Sequence, residues 1–221
     1  MRLSELVFEC VKDSITLPNP SISCTQLIND MVEASPIGKD WELQASGVFS
    51  ALNLGLSRLR DENKIPYSIK EVELEDGVGN LSDGDIVNVV RFLSDGSYES
   101  LRFNTLGLGG DFRIVTPFSE TIKKVTVEYK KTLPHLSTYS LVEIKEGEED
   151  ANIDLKGEYG ITNNMCDYLK EFVKGQLMEY VSSELANLHN NRAEQYFNAI
   201  RNASSSLSQS NIINVQQGWY L

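Results

Sequence analysis

The chain has 221 residues, 41% hydrophobic and 24% charged, enough to bury a core without disulfide or metal staples. Its formal net charge of −12 repels phosphate, which disfavours non-specific nucleic-acid binding and makes a solubility surface the simplest use of the acidity. No apolar run nears the roughly 18 residues of a membrane span, and Arg2, Glu5 and Glu9 interrupt the apolar positions of Met1 to Cys10, so no signal peptide is expected.

The acidity is unevenly spread. Residues 1–64 hold six basic and nine acidic residues, 65–158 ten and eighteen, and 159–221 four and five. Cys10, Cys24 and Cys166 are odd in number, far apart and without a C-x-x-C pair, so they are read as small buried hydrophobes.

In chain order, Leu3, Leu6, Val7, Cys10 and Val11 follow the stripe of an amphipathic helix, which Pro18 and Pro20 bar from continuing past Thr16 to Pro20. A short helix near Thr25 to Glu33 leads to Ser35-Pro36. From about Lys39, the residues Trp41, Ala45, Val48, Leu52, Leu56 and Leu59 predict a second helix ending near Lys64, because Ile65 precedes Pro66.

The period then changes to two. Tyr67 to Leu74, Ile86 to Phe92, and Tyr98 to Phe103 read as strands, the last two joined by a hairpin at Ser94-Asp95-Gly96-Ser97. Val125, Val127 and Tyr129 alternate with Thr126, Glu128 and Lys130 as a half-buried strand closed by Leu133-Pro134, so roughly five short strands are expected between 65 and about 145. Glu146-Gly147-Glu148-Glu149-Asp150 reads as a solvated loop.

Helical spacing returns in Met165, Leu169, Phe172, Val173, Leu177, Tyr180, Val181, Leu185 and Leu188, predicting one long helix capped by Thr162 or Asn163. A turn at His189-Asn190-Asn191 and a last helix through Ala193, Tyr196, Phe197, Ile200 and Ala203 follow. Past the polar stretch Ser204 to Ser210, the apolar residues Val215, Trp219, Tyr220 and Leu221 are candidate subunit-interface residues, since exposed aromatics rimmed by polar residues mark contacts. The alternative is that this tail folds back onto its own helices.

The chemistry of common enzymes is missing. His135 and His189 are the only histidines, and G-x-S-x-G, G-x-x-x-x-G-K-[ST] and H-E-x-x-H are absent, so no catalytic residue, cofactor or metal site is assigned. Gly107, Gly109 and Gly110 lack the strand-to-helix context of a phosphate loop, and Asp76, Asp83 and Asp85 miss calcium-loop spacing. Asn202-Ala203-Ser204 is a chance match to the glycosylation acceptor pattern.

The fold expected is α+β. A helical bundle is drawn from N-terminal helices in 1–64 and C-terminal helices in 159–206, with an acidic antiparallel β insertion at 65–158 and an extended tail at 207–221. Carried by Trp41 to Leu59, by Val125-Thr126-Val127-Glu128-Tyr129 running into Leu133-Pro134, and by Met165 to Arg201, this order resembles bacteriophage head-to-tail connector adaptors. The resemblance includes podovirus gatekeeper tail tubular proteins and crAss-like phage ring proteins.

The resemblance implies a virion structural protein assembled in host cytoplasm. It implies a ring of identical subunits, twelve-fold by family expectation, that joins portal protein to tail proteins and surrounds the passing DNA without sequence-specific binding. An acidic passage would let DNA slide. The rival reading is a cytoplasmic non-catalytic binding module, or a small enzyme with an unrecognised pocket in the β region.

Overall fold

The computed structural model describes residues 1–11, 39–94, 96–107, 109–117, 119–136, 152–179 and 181–203. The Thr25 to Glu33 helix, the Glu146 to Asp150 loop, Cys24 and the 207–221 tail lie outside the described residues, as does the Trp41 side chain. The chain is α+β, with helices and antiparallel sheets gathered into two units: residues 1–65 with 133–202, and residues 66–132.

The helical unit contains α1 (Leu3–Val11), α2 (Lys39–Asp61), α3 (Leu155–Tyr159), α4 (Asn163–Met178) and α5 (Ser183–Ala199). The predicted stripe of α1 is wholly inside, for Leu3, Leu6, Val7, Cys10 and Val11 are all buried. They meet Val48, Leu52, Leu56 and Leu59 of α2 and Met165, Tyr168, Leu169 and Val173 of α4 in one core. Asn63, at φ 55, ends α2 in the left-handed conformation while the Lys64 N–H donates to the Leu59 carbonyl at 2.8 Å, so the stop precedes the Ile65-Pro66 barrier.

Residues 152–160 correct the expected boundary at 158, because they belong to the helical core. Asn152 Oδ1 accepts from the Ser4 N–H at 3.2 Å, satisfying a free donor at the start of α1, and Leu155 and Ile161 are buried in that core. Asp154 caps α3 by accepting from the Lys156 N–H. Leu136 is held there too: Asn53 of α2 donates to its carbonyl and accepts from its N–H, at 2.8 and 2.9 Å.

The single long helix expected from 163 to 188 is two. α4 stops at Met178, and Ser182 starts α5 by accepting from the Leu185 N–H at 3.4 Å. His189, Asn190 and Asn191 therefore lie inside α5, not in a turn. The two helices run antiparallel so closely that a Cβ on Gly175 would lie 2.1 Å from Asn190 Oδ1. At their far ends Arg58 of α2 donates from Nη1 and Nη2 to the Glu194 carboxylate, stands 4.1 Å over the Phe197 ring, and holds the Glu194 carboxyl below its usual range.

Burial pushes the Cys10 thiol up to about 12, against the opposing charges of Lys174 and Lys170. A pKa raised in the folded state means stability is fully present below the ordinary thiol pKa and is lost as pH rises from about 9 towards 12. Denaturant midpoints should fall across that window as the unfolded chain ionises this thiol and the folded one does not. Cys10→Val should flatten the alkaline limb; an unchanged slope would mean that Cys10 is hydrated.

The described residues of the β unit form seven strands rather than the roughly five expected: β1 (Ser68–Glu73), β2 (Val78–Asn80), β3 (Gly84–Phe92), β4 (Tyr98–Ser100), β5 (Phe103–Leu106), β6 (Asp111–Ile114) and β7 (Lys124–Lys131). They form a four-stranded sheet ordered β1-β7-β3-β4 and a three-stranded sheet ordered β2-β6-β5, antiparallel throughout. The expected strand from Tyr98 to Phe103 is divided because the chain changes sheets at Leu101 and Arg102. Val72, Leu81, Val89, Leu101, Phe112, Ile114, Val125 and Val127 share the core.

β7 is not half-buried. It is central in its sheet, and Thr126 and Glu128 are buried as well as Val125, Val127 and Tyr129. This unit, 66–132, contains eight basic and eleven acidic residues, whereas 133–158 contains two and seven. Most of the acidity assigned to the β insertion thus belongs to the connection that follows it.

Candidate functional site

The candidate interface residues Val215, Trp219, Tyr220 and Leu221 lie outside the described residues. Exposed apolar side chains are scattered over the described residues, Leu54, Ile69, Leu106 and Val115 among them, and gather on α5 and at the β3–β4 hairpin. Ordinary folding physics buries such groups, so where several share a face they mark contact surfaces.

The first lies on α5. Ala186, Ala193 and Phe197 turn one face of this helix into the core. Leu185, Leu188 and Tyr196 lie on another face at i, i+3 and i+11, with Val181 four residues before Leu185; their exposures are 44%, 44%, 40% and 74%. The expected core stripe placed Leu185 and Leu188 inside. The break at 179–182 resets the helix, so these leucines leave the face that Leu169 and Val173 share.

Arg192 falls between Leu188 and Tyr196 on the same face and makes no side-chain hydrogen bond or ion pair with any described residue. Glu184, Asn187 and Asn191 are exposed around it. The helical stripe from Leu185 to Tyr196 is about 16 Å long at about 1.5 Å per residue, with Val181 in the turn before α5.

The second is the β3–β4 hairpin. Gly96 at φ +82 closes it, with the Leu93 N–H donating to the Ser97 carbonyl at 2.8 Å. Its tip presents Phe92, 59% exposed, beside Leu93, and the Phe92 and Tyr98 rings meet edge-on at 6.0 Å. The strand run Ile86 to Phe92 announced the strand but not that its last residues face solvent.

Gly107, Gly109 and Gly110 lie in the β5–β6 turn and, with Gly84, Asp85, Asp111, Thr105 and Thr132, line a groove of about 560 Å³. Its described lining contains two carboxylates and no cationic side chain, which opposes a phosphate. Asp76 sits in the β1–β2 turn. Asp83 ion-pairs with Lys70 at 2.5 Å, whose ammonium holds its carboxyl below the usual range. Among the described residues no group of three or more His, Cys, Asp or Glu side chains could hold a metal ion. None of the described helices is long and apolar enough to cross a membrane.

His135 is exposed after β7. His189 Nδ1 lies 2.9 Å from Glu171 Oε2 between α4 and α5, a structural position. His189→Gln should keep a donor for the carboxylate and melt near the parent, whereas His189→Ala, which strands it, should cost about 1–3 kcal/mol by denaturant titration. Equal stability of the two variants would remove the pairing from the account.

No protein-family model matches the chain, and no curated protein matches it.

Proposed function

We propose that the chain is a structural subunit of a bacteriophage head-to-tail connector, one copy in a ring that joins the portal to the tail and surrounds the exiting DNA. The observation that carries this reading is the order of units along the chain: segments from both ends of the described chain build the helical unit, and the β unit is inserted between them. This is the arrangement of the connector adaptors the sequence resembles, in which the helices form a bundle. Exposed apolar stripes on α5 and at the β3–β4 tip supply the kind of surface that repeated subunit contacts need. The acidic connection 133–158, rather than the β unit, is the segment suited to a passage that does not hold DNA.

A binding module is the second reading, favoured by the groove beside Asp85 and Asp111. Quantitative mass spectrometry of washed virions separates the two. A connector subunit is present in copies comparable to the portal protein and resists washing. A chain found only in the soluble lysate contradicts the connector reading.

A further inference from the structure

Resting on the ring reading, we propose that the α5 stripe of Leu185, Leu188 and Tyr196, extended by Val181 in the turn before it, is the docking face for residues 212–221 of a second copy of this chain.

Three observations select this occupant. First, residues 204–221 contain no Asp, Glu, Lys, Arg or His, in a chain whose net charge is −12. Two copies repel through most of their surface, so a contact between them is best made by an uncharged apolar segment. Ile212, Ile213, Val215, Trp219, Tyr220 and Leu221 make this segment apolar. Second, the stripe is itself close to neutral: Glu184 and Arg192 oppose one another in sign, and Glu194 is already engaged by Arg58. Apolar side chains can cover the stripe without stranding a carboxylate, and Arg192 can stack its guanidinium plane on an aromatic ring such as Trp219.

Third, the geometry of reach fits. The described chain ends at Ala203, just past α5, and the eight polar-rich residues 204–211 extend over at most about 26 Å at about 3.3 Å each. That exceeds the roughly 16 Å from Leu185 to Tyr196, so a segment leaving one α5 is long enough to cross to the stripe of a copy lying alongside. Each copy then gives a tail and receives one, a head-to-tail contact that closes into a ring when the rotation allows.

The test uses the full chain, the chain lacking 212–221, and the full chain carrying Leu185→Asp and Leu188→Asp. The two leucines are exposed, so their replacement by Asp should leave the fold intact. Circular dichroism and melting check this. Sedimentation velocity should show the full chain associating with concentration and each variant alone remaining monomeric. An equimolar mixture of the two variants should form a two-chain complex, because one supplies the tail and the other the stripe. A synthetic peptide of residues 204–221 should bind the shortened chain, and Trp219→Ala in the peptide should weaken binding about 30-fold.

A mixture that stays monomeric while the full chain associates overturns the proposal. So does a peptide that binds the Asp variant as well as the parent. A full chain that is monomeric at every concentration, with a peptide that binds only the shortened chain, assigns the segment to its own helix and also overturns it. Rings that form from the shortened chain remove the docking face and leave the ring reading standing. Association through the stripe that stops at a closed pair removes the ring and leaves the docking face.

Discussion

Leu52→Ala is expected to cost about 2–5 kcal/mol, enough to leave a marginal domain largely unfolded at 37 °C. Leu52 is fully buried in α2, where α1 and α4 meet the same core through Leu6, Val7 and Leu169. The truncation removes apolar atoms from water-excluded contact and leaves a cavity that three packed helices cannot collapse around without moving their backbones. Leu54→Ala, two residues on, is the matched control because Leu54 is 57% exposed; its cost should stay within about 0.5 kcal/mol. Denaturant midpoints measure both. Equal losses at the two positions would mean that the buried face of α2 is assigned wrongly.

The second large effect belongs to the β unit. At Gly84 a Cβ would lie 2.0 Å from the carbonyl oxygen of Lys130, on the β7 strand with which β3 pairs. A backbone carbonyl cannot swing aside as a side chain can. Gly84→Ala must therefore part the strands where Gly84 pairs with Lys131 and where the Thr132 N–H donates to the Asp83 carbonyl. Overpacking of this kind costs about 1–3 kcal/mol or more. The loss should appear as faster hydrogen exchange at the β3 and β7 amides. Gly96→Ala gives the contrast: nothing lies within 4 Å of its Cβ, and only the strain of φ +82 remains, about 1–2 kcal/mol. A Gly84→Ala variant as stable as the parent would show that the two strands are not paired in this register.

These positions also mark how far the sequence could be read. The α1 stripe was legible in full, because five apolar residues at helical spacing leave only one face to bury. The described part of the α2 stripe, Val48 to Leu59, and the hairpin turn at Gly96, where local turn chemistry decides the outcome, were legible too. The break between α4 and α5 was not. Apolar spacing continues across 179–182, and what ends α4 is the Ser182 cap together with the close approach of Gly175 to Asn190, a tertiary contact with no local signature.

The same limit applies to the division of the β unit into two sheets. Periodicity detects Tyr98 to Phe103 as extended chain but carries no information on which neighbour each part pairs with. α3 escaped notice because five residues hold too few positions for a stripe, and because the core that Leu155 enters is distant in sequence. The candidate surfaces follow from these misses. Leu185 and Leu188 look like core in sequence, and only the reset of the helix turns them outward.

The connector reading is tested most directly by electron microscopy of the virion, averaged about the axis through the portal vertex. The account predicts a closed ring of this chain between portal and tail, with α1, α2, α4 and α5 of each copy fitting the ring density and an open channel on the axis. A portal-to-tail junction resolved at helix level that contains no copy of this chain would contradict it.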